Sequence, residues 1–148
     1  MKMMKSFYAG AALLVAATMA VPAAAQESPL KRGSVWVASR IDVLPGQNPA
    51  YTDYLATQWK KEMEWGKAQG YILSYRILST NHARNGEPDI ILLIEYKDYA
   101  SAAEREAASK RFNEAMKTDR IKNAAANLDR EKIRTSMGST EYQEWVVK

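Results

Sequence analysis

The residues best suited to chemistry in this 148-residue chain are a carboxylate and an amide set among aromatic rings. At about 100° per residue, a helix over 49–68 gathers Tyr51, Tyr54, Leu55, Trp59, Met63, Trp65 and Gly66 on one broad side. Gln58 and Glu62 fall inside that side, whereas Asp53, Lys60, Glu64 and Lys67 project to the back. A carboxyl group enclosed there without a cation would have a raised pKa, which suits general acid or base work. Two plainer arrangements fit the same pattern: Glu62 reaching past its neighbours to solvent, or pairing with a strand arginine such as Arg40 or Arg76. Gln58, Glu62, Trp59, Tyr54 and Tyr75 form the candidate ligand-binding set. With Trp36, Tyr51, Trp65 and Tyr71 they crowd one half of the chain and would suit a flat apolar molecule, although rings equally serve cores and interfaces.

His82 is the only histidine, and it sits beside Asn81, Arg84 and Asn85 in a stretch of loop-forming residues. It is the natural proton carrier near neutral pH and joins Glu62 as a catalytic candidate, while its surroundings equally fit a solvated residue. One histidine and no cysteine leave only carboxylates to ligate a metal, and no calcium-loop spacing occurs, so no metal is expected. No Ser-His-acid set, glycine-rich phosphate loop or dinucleotide fingerprint can be assembled, and no cofactor is expected.

These residues need elements to position them. Gly33 to Val43 alternates, with Val35, Val37, Ser39, Ile41 and Val43 on one face and Trp36, Ala38, Arg40 and Asp42 on the other, which predicts a strand. Leu44 to Asn48 is a turn, Asn48 is placed to cap a helix that starts at Pro49, and Gly70 ends it. Tyr71 to Ser79 and Asp89 to Lys97 read as strands paired in a hairpin, joined by a loop at Asn81 to Pro88. Asp98 is placed to cap a second helix with Tyr99, Ala102, Ala103, Phe112, Ala115 and Met116 inward. A new cap at Thr118 and Asp119 breaks it, and Ile121, Ala124, Ala125 and Leu128 continue the apolar stripe. A last strand covers Tyr142 to Val147 after Met137-Gly138. The order strand, helix, strand, strand, helix, strand predicts an α+β, ferredoxin-like four-stranded antiparallel sheet with helices on one face. Ile90 to Ile94 is apolar on both sides, so the second face also needs cover, and a second copy of the chain supplies it most economically.

Residues 1–25 read as an export signal: Lys2 and Lys5 precede an apolar run from Phe7 to Val21, and Ala23-Ala24-Ala25 suits cleavage after Ala25. That run is shorter than the roughly 20 residues needed to span a bilayer. The expected mature chain is periplasmic or secreted, with residues 26–32 a flexible lead-in, 33–148 one domain, and no membrane attachment. Removing Lys2 and Lys5 from the 21 cationic residues leaves 19 against 17 acidic ones, which with the absence of a basic aromatic stripe excludes nucleic acid as a partner.

The segments VWVASRIDVLPGQNPAYTDYLATQWKKEMEW, YILSYRILST and DIILLIEYKDYASAAE resemble the dimeric α+β barrel superfamily, which includes antibiotic-biosynthesis monooxygenases and EthD-like proteins. The strand ending VLPGQ, the tryptophan-rich first helix and the strand ending EYKDYA are similar to those of uncharacterised exported bacterial members. The resemblance covers about residues 33–148 and implies a fold and a homodimer built sheet to sheet. It carries over no catalytic residue. Two functional readings follow: a non-catalytic exported homodimer that binds a small apolar or aromatic molecule in the helix-sheet cleft, and a cofactor-independent monooxygenase or isomerase acting on a small aromatic or polyketide-like substrate. The first is preferred, because the second needs an acid, base or donor set and the chain offers isolated candidates.

Overall fold

Alternating β-branched residues dictate the first strand. The computed structural model describes residues 27–148, and in it β1 runs from Leu30 to Val43. The predicted signal peptide lies outside the described residues. The strand begins three residues earlier than the alternation indicated, because Leu30, Lys31 and Arg32 pair with Val147, Val146 and Trp145. The rest of the chain forms α1 (Asn48–Tyr54), a π-helical turn (Leu55–Trp59), α2 (Lys60–Ala68), β2 (Ile72–Ser79), β3 (Ile90–Tyr96), α3 (Ala102–Met116), α4 (Arg120–Glu131) and β4 (Arg134–Val147). All pairings are antiparallel, and the strands lie in the order β2-β3-β1-β4. This is an α+β architecture, and β2 and β3 form the predicted hairpin. Among the described residues no helix is long and apolar enough to cross a membrane.

The helix ends follow local chemistry. Gly70, at φ 75°, closes α2 in a Schellman arrangement: its N–H donates to the Lys67 carbonyl and that of Tyr71 to the Gly66 carbonyl, both at 2.9 Å. At the other end Gln47, not Asn48, is the capping residue, and it acts through its carbonyl alone; Asn48 is already helical. Asp98 does not cap α3 either. Its carboxylate accepts from the Tyr99 N–H, and Ser101 caps instead, in a reciprocal box with Glu104. Asp119 caps α4 as predicted, accepting from the N–H groups of Ile121 and Lys122. Met137-Gly138, read from sequence as preceding the last strand, lies inside β4: Gly138 takes φ 91° in a bulge where two β4 residues oppose one of β1.

Residues opposite one another in the ladder share a face. Ile41, Leu92 and Tyr75 therefore lie on the helix side with their neighbours Ile90 and Ile94, where Tyr51, Leu55 and Trp59 descend to form the core. The spacing of four between Tyr51, Leu55 and Trp59 stays on one side because the wider π-turn holds back the phase of the residues that follow. The core covers β1, β3 and β2 only. On β4 the helix-side residues are polar, namely Ser139, Glu141 and Gln143, opposite Ser39, Val37 and Val35. The expected inward stripe of the last two helices is not buried: α3 and α4 contain no buried residue, and Ile121 and Leu128 are 73% and 65% exposed. Beyond the sheet, the other face carries half-buried Trp36, Ile91 and Leu93, with Leu78 and Tyr142 exposed.

Candidate functional site

Close approach of helix to sheet builds one wall of a cavity. Gly66 is buried against the Ile72 side chain, and a side chain there would collide with it. Trp65, the preceding residue, turns to the flank of α2 and meets Phe112 of α3 edge-on, ring centroids 5.4 Å apart, and Tyr71 at 5.7 Å. Arg111 lies 5.5 Å over the Tyr71 ring. These contacts hold α3 beside α2 and border an open cavity of about 660 Å³, with Met63, Ile72, Tyr96 and Tyr99 adding apolar lining and Glu62 among the lining residues. That volume falls within the range of small-molecule sites. Burial raises the Tyr96 phenol above its ordinary pKa, and the Glu141 carboxylate adds to the shift, so the cavity is lined by a phenol that keeps its proton.

The candidate residues read from the sequence are distributed along the helix. Glu62 is half-buried and lines the cavity, and its Oε1 accepts from the exposed Gln58 amide at 2.8 Å. Gln58 therefore sits at the helix surface and not inside the apolar side. Trp59 is a core residue, 5% exposed, edge-on to Tyr75 at 5.2 Å. The Tyr75 hydroxyl donates to Glu64 at 2.6 Å, which raises the phenol pKa, and Lys67 lies 5.6 Å over the same ring. Glu64 and Lys67 were expected on the helix back; they flank β2 because the π-turn rotates α2 relative to an ideal helix. Arg40 donates to the Gly86 carbonyl and Arg76 lies over the Trp36 ring, so neither pairs with Glu62. His82 is exposed in its loop at φ 59° and does not line the cavity.

Tyr54 belongs to a second group, at the opposite end of the helical rod. Its ring stacks on that of Tyr51 at 5.8 Å and carries the Arg130 guanidinium 5.3 Å above it. Burial pushes the Tyr51 phenol up to about 12, with Arg134 opposing the rise more than Arg130 does. Tyr54 is raised too, first by burial, with Arg130 and Arg134 opposing and Glu62 adding. The sequence reading missed Tyr96, Arg130 and Arg134. Tyr96 continues the period of Ile90, Leu92 and Ile94, a signal that was present; the two arginines carry no local mark. Among the described residues no three His, Cys, Asp or Glu side chains converge as a metal site would need. No family model and no curated protein matches the chain.

Proposed function

We propose that the protein is an exported homodimer that binds a small, flat, apolar or aromatic molecule. The observation that carries this reading is the cavity of about 660 Å³ between α2 and α3, walled by Trp65, Tyr71, Phe112 and Tyr96. Offset and edge-on rings of this kind favour a planar guest, and the Tyr96 phenol and Glu62 carboxylate offer it one donor and one acceptor. The sheet order, read from its other edge as β4-β1-β3-β2 with a helical crossover in each half, supports a ferredoxin-like assignment and the dimeric α+β barrel that the sequence resembles. Dimerisation would cover Trp36, Ile91, Leu93, Leu78 and Tyr142 on the second sheet face.

Mass spectrometry of small molecules retained through native purification tests the binding. An aromatic compound should accompany the wild type and be absent from the Trp65→Ala/Phe112→Ala variant; an empty wild type that also shows no saturable binding of 1-naphthol refutes the reading. Sedimentation at micromolar concentration tests the dimer, and a monomer there removes it. The oxygenase or isomerase reading rests on Glu62 in the cavity lining. It requires turnover of the retained molecule that Glu62→Gln abolishes.

A further inference from the structure

Two hydrogen-bond donors are buried without partners at one place in the fold, where α1 begins and α4 ends. Tyr51 is 1% exposed and its hydroxyl has no hydrogen-bond partner among the described residues; the Nε–H of Arg130 is buried and equally unpaired among them. The Arg130 side chain is otherwise anchored through Nη2 to the Asn127 amide oxygen. The Tyr51–Tyr54 stack and the Arg130 guanidinium over Tyr54 make these side chains one cluster. Arg134 joins from the first residue of β4. It pairs with Val43, which packs on the core that contains Tyr51, so Arg134 shares the helix side. Neither arginine has an ion-pair partner among the described residues. Buried donors are nearly always satisfied, so this arrangement calls for an acceptor.

We propose that the cluster is a binding site for a small carboxylate, held between Arg130 and Arg134 and accepting a hydrogen bond from the Tyr51 hydroxyl. Guanidinium forks match the two oxygens of a carboxylate, and the stacked tyrosines give its carbon skeleton an apolar wall. The two guanidiniums supply the positive charge that a carboxylate needs, and the Glu62 carboxylate, which acts on Tyr54 against them, disfavours a guest of higher charge. A guest must pass α4, the helix that carries Arg130. With no buried residue, α4 can be displaced at low cost. Tyr51, Arg130 and Arg134 do not line the aromatic cavity, so this site stands apart from the reading above.

The test is calorimetric titration of the wild type with sodium acetate, sodium benzoate and neutral benzamide at fixed ionic strength, alongside the arginine Nε–H signals in proton-nitrogen NMR. Acetate and benzoate should bind and shift the Arg130 Nε–H signal, and benzamide should not. Arg134→Gln and Tyr51→Phe should each weaken benzoate binding about tenfold or more. The proposal is overturned if the carboxylates bind no better than benzamide, if inorganic phosphate binds more tightly than acetate, or if both variants bind like the wild type. Should Arg134→Gln fail to fold, the wild-type comparison of acetate with benzamide and the response of Tyr51→Phe still decide.

Discussion

Replacing Gly66 by alanine tests how closely α2 approaches the sheet, and hence what shapes the cavity wall. The added Cβ would stand 2.6 Å from Ile72 Cδ1 and 3.0 Å from its Cγ1, inside normal contact. Overpacking of this kind costs about 1–3 kcal/mol, while alanine in a helix interior gains about 1 kcal/mol over glycine. The expected net loss for Gly66→Ala is therefore about 1 kcal/mol. Ile72→Val deletes the nearest atom and by itself costs about 0.5–1.5 kcal/mol through the space it leaves. Combined, the new methyl fills that space, and the remaining contact at 3.0 Å needs only a small shift. The double variant should thus lie close to wild type, with a loss about 1–2 kcal/mol smaller than the two single losses added together. Urea denaturation with unchanged m-values measures all four corners of the cycle. Additive losses, to within about 0.5 kcal/mol, would refute the claimed contact.

Other perturbations probe separate parts of the fold. Trp59→Ala removes the largest ring of the core and should cost about 3–5 kcal/mol in chemical denaturation; a loss below about 1 kcal/mol would mean that the ring is not enclosed. The folded-state pKa of Tyr51, about 12, lies above its unfolded value of about 10, so its contribution is complete below pH 10 and lost as pH rises towards 12. Stability should then fall by up to about 1.4 kcal/mol per pH unit in that window, and Tyr51→Phe should flatten the decline; an equal slope in the variant contradicts the assignment. Asp119→Ala strips two capping bonds from a helix with no buried residue, so amide exchange along α4 should accelerate by about fivefold or more while β1 and β3 stay protected. Uniform acceleration across the chain would show that α4 does not open separately.

Periodicity and punctuation carried most of the architecture. Alternation in β1, the double-sided apolar run of β3 and the glycine at 70 are local facts, because strand pleating, burial on both faces and left-handed backbone each demand particular residue types within a few positions. The composition of 49–68 likewise made a helix legible, and Glu62 stood out as a carboxylate among rings. The site was less legible. An ideal helical wheel set Gln58 in the apolar side and Glu64 on the back, whereas the π-turn left Gln58 at the surface and brought Glu64 to Tyr75. A turn of that kind is selected by how the helix packs on the sheet and not by the identity of its own five residues.

The chain by itself determined where most strands and helices fall and that β2 and β3 pair in a hairpin, since both follow from contacts between near neighbours and from the chemistry of turns. The first half of β4 and its pairing with β1 were left to the tertiary structure. Only the tertiary structure decided which rings surround open space and which fill the core: Trp65 and Phe112 wall a cavity while Trp59, six residues before Trp65, is sealed inside. It also decided that Arg130 and Arg134, remote in sequence, stand beside Tyr51 and Tyr54. Such placements depend on distances between elements, and those are set by the combined packing of many side chains, which no window of neighbouring residues encodes.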